Sequence, residues 1–173
     1  VTCPSRPGKF DRRKADSLAL STEQVSRLAG GEDISAGGET LLAADFRGEA
    51  RPAQSILVSG DTIGGQPSFS QLDVAPPVLL HEATFLGELQ EKAARYNHST
   101  ARDAAEHARV SGAGLLVLTH YSSRIEDSSP LQAEAAEVHP RTVTSAEGDV
   151  FHLDGNGVVT RHQRSAGWLE DQP

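Results

Sequence analysis

Three short apolar runs, each closed by polar residues, stand out along the middle of the chain. Ser55-Ile56-Leu57-Val58 ends on Ser59-Gly60-Asp61-Thr62, Val78-Leu79-Leu80 runs into His81-Glu82, and Leu115-Leu116-Val117-Leu118 runs into Thr119-His120. Apolar runs this short, bounded by turn residues, predict buried strands, and their closures put Asp61, the pair His81-Glu82 and His120 at strand tips. Between the second and third runs, Thr100 to Ser111 is rich in Ala with Glu106 and Arg109 interspersed. That spacing predicts an amphipathic helix, with Ser99 or Thr100 as its N-cap, and hence a strand-helix-strand unit. A second helix is expected over Leu131 to Val138 after Pro130, with short strands near Arg141 to Thr144 and Val150 to Leu153. No internal repeat is visible.

The first 54 residues are polar and punctuated by Gly30-Gly31 and Gly37-Gly38. Arg12 to Leu20 reads as a short helix and Ser21-Thr22-Glu23-Gln24 as the start of another, inside a region otherwise expected to be irregular and exposed. The segment from Arg164 to Pro173 reads as a loosely held tail with Trp168 as its anchor.

A length of 173 residues fits one domain, and an apolar fraction of 37% with 16 Gly and 9 Pro implies many short elements instead of a helical bundle. The formal charge of −8 argues against a generic nucleic-acid-binding module, although a local patch remains open. Only Lys9, Lys14 and Lys92 are lysines, so the positive charge is mostly arginine, which grips phosphate bidentately. Cys3 stands alone, which excludes an intrachain disulfide and makes a reducing, cytoplasmic compartment the default. There is no signal-like segment and no apolar run near bilayer length, so no membrane partner is expected. The chain contains no Met and opens on Val1-Thr2-Cys3, as expected of a fragment.

Ionisable residues at the carboxyl ends of neighbouring strands in an α/β architecture face a common crevice. Imidazole and carboxylate together are the donor set that zinc takes, and a carboxylate is able to bridge two ions. A lone Asp after a strand reads equally well as a turn residue, and a lone His as a satisfied core group. His98 precedes the Ala-rich helix, where backbone N–H groups favour an anion. With Glu82 holding its other nitrogen, it is placed to donate a proton to a leaving oxygen, though it also reads as part of a capping loop. Arg124, after Ser122-Ser123, either reaches a phosphate or supports the His120 loop. His107, His139, His152 and His162 are given no chemistry.

Taken in order and spacing, Ser59-Gly60-Asp61-Thr62, His81-Glu82-Ala83-Thr84-Phe85, His98-Ser99-Thr100 and Leu118-Thr119-His120-Tyr121-Ser122-Ser123-Arg124 resemble the second half of the ribonuclease Z family of the metallo-β-lactamase superfamily. Arg6-Pro7-Gly8-Lys9-Phe10 and Lys14-Ala15 resemble the segment leading into that family's tRNA-gripping arm. The resemblance implies an α/β fold, the C-terminal half of an αββα sandwich over residues 1–163, with a shortened arm over about 10–50 and the tail over 164–173. It implies a zinc-dependent endoribonuclease that removes 3′ trailers from precursor tRNA, with two zinc ions in the complete enzyme and manganese or magnesium as alternatives. Carried over, Asp61 bridges both ions, His120 ligates one, and His98 supported by Glu82 protonates the leaving group or contacts the scissile phosphate. Ser99, Thr100 and Arg124 would support substrate phosphate or the surrounding loops. The family also implies a homodimer.

Two departures shape the expectation. None of the seven histidines falls in the family's His-x-His-x-Asp-His spacing, so a missing N-terminal half is expected to supply the other ligands, and the chain alone is expected to be inactive. Residues 19–33 lack the Gly-Pro-rich, lysine-bearing arm tip. This leaves two alternatives, a metallo-hydrolase of the same fold acting on another phosphodiester or ester, and a truncated, non-catalytic domain.

Overall fold

A computed structural model describes residues 1–163; the expected tail over 164–173, with Trp168, lies outside the described residues. The chain divides into two compact units, where the length pointed to one domain. One unit is Pro4–Ala53; the other joins Val1–Cys3 to everything from Gln54 onward.

In chain order the elements are β1 (Thr2–Cys3), α1 (Arg12–Ser17), α2 (Thr22–Gly30), β2 (Ile34–Ala36), β3 (Glu39–Leu41), β4 (Gln54–Val58), β5 (Val78–Glu82), α3 (Gln90–Arg95), α4 (Ala101–Ser111), β6 (Leu115–Thr119), α5 (Ser129–Ala136), β7 (Thr142–Thr144), β8 (Val150–Leu153) and β9 (Val159–His162), with 3₁₀ turns at Ala43–Phe46, Pro67–Ser70 and Gly87–Leu89.

The unit Pro4–Ala53 is ordered where the sequence suggested an irregular surface. Ser21 starts α2 with a capping box, its hydroxyl accepting from the Gln24 N–H while the Gln24 side chain accepts from the Ser21 N–H at 2.9 Å, and Gly31 ends the helix in the left-handed region. Val25 and Leu28 then face Ala15, Ile34, Ala43 and Phe46 in a small buried cluster. These residues come from separate short elements, so no single window of sequence displays an apolar run.

In the other unit a five-stranded sheet has the order β1-β4-β5-β6-β7, antiparallel only at β1. The expected strand-helix-strand unit is β5-α4-β6. Thr100 caps α4 through a box with Asp103, whose carboxylate accepts from the Thr100 N–H at 2.9 Å, and Gly112 closes it at φ +67°. Ala101, Ala104, Ala105 and Ala108, spaced for one helix face, are fully buried with Leu79, Leu116, Leu118, Leu131 and Ala135. Small side chains on that face let helix and sheet approach closely. The sheet with α4 and α5 makes one α and one β layer, half of the αββα sandwich that the resemblance implied; a second large sheet is not among the described residues.

The parallel register decides which side chains meet at the strand tips. Val58 of β4 pairs with Leu80, and Glu82 of β5 pairs with Thr119, so Asp61, Glu82 and His120 leave the sheet at the same, carboxyl end. His81 does not join them. It is fully buried and belongs to a chain of hydrogen bonds beneath the site. Its Nδ1 lies 2.7 Å from the Glu82 carbonyl oxygen, which only accepts, so Nδ1 carries the proton. Its Nε2 then accepts from His107 Nδ1–H at 2.8 Å, and His107 Nε2 accepts from the Gln66 N–H at 2.9 Å. Phe69 stacks on His107 with centroids 4.1 Å apart.

Every nitrogen of this relay is satisfied only when both rings are neutral. Burial pushes the His81 pKa down, and burial, reinforced by His81 itself, pushes that of His107 down to about 4. Between the ordinary histidine value of about 6.5 and about 4, the unfolded chain binds a proton at His107 that the folded chain refuses, so stability is complete above this window and falls as pH drops through it. We expect equilibrium urea unfolding to lose about 1–3 kcal/mol between pH 6.5 and 4, with a visibly flatter acid limb in His107→Gln; equal acid limbs would contradict the assignment.

Candidate functional site

Asp61 follows Gly60, which holds φ +59° and so turns the chain sharply out of β4. His120 directly follows β6 and itself holds φ +52°, a left-handed conformation that a side-chain-bearing residue keeps only at some cost in strain. These two turns bring Asp61 Oδ1 and His120 Nδ1 to 3.5 Å. His98, from the loop between α3 and α4, stands with its ring centroid 5.4 Å from that of His120. Asp61, His98 and His120 each offer a donor atom, and these atoms all lie within 4.8 Å of one another. One carboxylate and two imidazoles match the preferences of zinc, whose catalytic sites commonly use three protein ligands and keep one position open. Asp61 and His120 are exposed, so an incoming ion reaches them directly from solvent.

Glu82 organises this group from below. Its side chain is only 2% exposed, and Oε1 accepts from the backbone N–H groups of Thr62 at 3.1 Å and Ser99 at 2.9 Å, and from His98 Nδ1 at 3.0 Å. Oε2 accepts from the Thr84 hydroxyl at 2.7 Å and the Thr84 N–H at 3.2 Å. Burial alone would raise the carboxyl pKa, but these hydrogen bonds, led by the Thr84 hydroxyl, the Thr62 N–H and His98, outweigh it and hold Glu82 below the usual range. The bond to Glu82 orients the His98 ring and leaves Nε2 uncommitted. Thr84 extends the network, its hydroxyl lying 3.2 Å from His120 Nδ1.

The other candidates divide. Ser99 is buried, and its hydroxyl donates to the Thr62 carbonyl at 2.6 Å, tying the His98 loop to the Asp61 turn. Thr100 is committed to capping α4. Arg124 is exposed and lines a groove with His98. Sequence reading missed Ser59, whose hydroxyl accepts from the Glu82 N–H at 3.1 Å, and gave no role to Thr84 or to the His81–His107 relay. Thr84 lay inside a quoted motif and was findable; the relay depends on which way two rings point across the fold.

No family model matches the chain. It is similar to Ribonuclease Z of Haloferax volcanii, 38% identical over 161 residues that cover 88% of this chain and 50% of that protein. Ribonuclease Z of Archaeoglobus fulgidus is 35% identical over 147 residues, 82% of this chain and 47% of the relative. Ribonuclease Z of Myxococcus xanthus is 38% identical over 144 residues, again 82% and 47%. Over most of its own length the chain is similar to proteins of the ribonuclease Z family. It spans about half the length of the curated relatives it matches. Among solved structures, the metallo-beta-lactamase fold protein YhfI from Bacillus subtilis has a TM-score of 0.47 and 23% identity, covering 66% of this chain and 40% of that one. The short form of human tRNase Z has a TM-score of 0.40 and 28% identity, covering 52% and 30%. No helix among the described residues is long and apolar enough to cross a membrane.

The Glu82 network carries a stability prediction. Glu82→Ala strands the N–H groups of Thr62, Thr84 and Ser99, and we expect it to cost about 3 kcal/mol or more, read as a lowered urea midpoint. A loss under about 1 kcal/mol would mean that water replaces the carboxylate.

Proposed function

We propose that this chain is part of a zinc-dependent phosphodiesterase of ribonuclease Z type, removing 3′ trailers from precursor tRNA. The observation that carries the reading is the gathering of Asp61, His98 and His120 donor atoms within 4.8 Å in a chain similar to proteins of this family. Asp61 and His120 are assigned as metal ligands, with the Asp61 carboxylate as the group able to bridge two ions. When bound, zinc would lower the pKa of a coordinated water and offset charge on the phosphoryl oxygens. Two assigned ligands do not complete a zinc site, so further ligands must come from beyond the described residues.

The chain's own residues then handle orientation and protons. Glu82, opposite His98 Nδ1, fixes the orientation of the ring. Nε2 is thereby kept for the proton that the leaving oxygen requires, or for contact with the scissile phosphate. Ser99 and Thr100 hold the loop that presents His98, and Arg124 is the exposed cation available to a phosphate. The N–H groups of Thr62 and Thr84 bond to the Glu82 carboxylate and not toward substrate, so their part is to hold the turns in place.

A second reading, a related hydrolase acting on a different phosphodiester, is favoured by the arm region, where residues 10–50 carry eight Asp and Glu against five Lys and Arg. An acidic arm is a poor electrostatic match for tRNA.

The full-length protein tests both. Asp61→Ala is expected to lose bound metal together with phosphodiester cleavage. His98→Ala should retain metal while slowing cleavage about 10²–10⁴-fold. Equal metal loss in the two variants would make His98 a ligand instead of a proton donor. Hydrolysis of bis-p-nitrophenyl phosphate without trailer removal from precursor tRNA would favour the second reading, and purified protein without stoichiometric metal would point to a non-catalytic domain.

A further inference from the structure

Beside His98 a groove of about 450 Å³ is lined by Thr84, Phe85, Lys92, Tyr96, Ser122 and Arg124. Its volume lies within the range of about 300–1,000 Å³ typical of small-ligand sites. Its chemistry differs from that of the chain around it. In a protein of net charge −8, the groove lining holds two cations and no carboxylate, and Lys92 is the only lysine from residue 54 onward. Glu88 and Glu91 line the adjoining depression, which shares Lys92 and Tyr96 with the groove and adds Arg95.

The aromatic pattern is equally specific. Tyr96 is 59% exposed, whereas every other Phe and Tyr among the described residues is buried or half-buried. It follows α3 directly, two residues before His98. Phe85 forms the largely buried part of the lining, with the Lys92 ammonium 5.4 Å from its ring centroid and His98 edge-on at 6.3 Å. An exposed ring beside two flexible cations, opening onto the candidate centre, is the combination that binds single-stranded nucleic acid by stacking plus phosphate neutralisation.

We infer that this groove is a nucleotide subsite, in which a base of single-stranded RNA stacks on Tyr96 while the adjoining phosphate is met by Lys92 and Arg124. The inference rests on the phosphodiesterase reading for the identity of its ligand and on the groove's own chemistry for the contacts. Stacking accepts any base, so the subsite positions a strand without reading its sequence. The cations provide the affinity that the acidic remainder of the chain does not.

The test uses the full-length protein stripped of metal, so that no cleavage occurs, and a short single-stranded ribo-oligonucleotide carrying 2-aminopurine, whose fluorescence is quenched on stacking. Wild type should bind and quench. Tyr96→Ala should bind about 5- to 100-fold more weakly without quenching, and Tyr96→Phe should restore both. Lys92→Gln and Arg124→Gln should each reduce the slope of log affinity against log salt by about 0.7. Unchanged binding and quenching in Tyr96→Ala overturns the subsite even if the wild type trims precursor tRNA. Displacement of the RNA by polyglutamate as effectively as by unlabelled RNA also overturns it, revealing a plain anion surface. Tyr96-dependent quenching in the stripped protein, with no RNA cleavage once metal is restored, supports the subsite and removes the nuclease reading.

Discussion

Glu82 is a charge taken out of water, and the candidate site is arranged around the requirement that it be compensated. An ionised carboxylate buried without partners costs several kcal/mol, so a side chain 2% exposed persists only if donors surround it. Here the donors come from three places: the turn after β4 through Thr62, the corner after β5 through Thr84, and the loop before α4 through His98 and Ser99. Each bond that keeps the carboxylate ionised also fixes one of the segments presenting Asp61, His98 and His120. Positioning of the candidate ligands and solvation of a buried charge are therefore one problem with one solution.

The layer below has the opposite electrostatic character. His81 and His107 are held neutral by burial and by a directional relay that runs from the Gln66 N–H to the Glu82 carbonyl. The backbone of Glu82 is thus gripped by uncharged rings while its side chain is gripped by donors facing the crevice. Two adjacent residues of β5, His81 and Glu82, point to opposite faces as strand geometry demands, and this separates a dry core from an ionic site within one peptide unit. His81 therefore belongs to the core even though it sits beside a residue of the site.

Above the carboxylate, the accessible groups carry both signs of charge. Asp61 and His120 stand exposed at the strand ends, and the groove beyond His98 adds Lys92, Arg124 and the open ring of Tyr96. A phosphate group approaching this edge would meet the Lys92 and Arg124 cations locally despite the net charge of the chain, because screening confines the repulsion of distant acids to about a Debye length.

Much of the fold was legible in the order of residues. The runs Ser55–Val58, Val78–Leu80 and Leu115–Leu118 and the Ala-rich stretch before Ser111 are local patterns, and strand and helix periodicity act on them directly; Thr100 and Gly112 even mark the ends of α4. Spacing and motif likewise singled out Asp61, Glu82, His98 and His120. What local pattern could not decide was anything set by side-chain direction across elements. The packing of Ala15, Val25, Leu28, Ile34, Ala43 and Phe46 into a core, the turning of His81 away from the crevice toward His107, and the placement of His98 next to both Asp61 and His120 depend on strand register and on turns such as Gly60 and His120. Sequence determined which residues are candidates for the chemistry, because periodicity and donor type are properties of neighbours along the chain. Tertiary structure alone decided which of them meet, because that is settled by register, burial and the demand that Glu82 find partners.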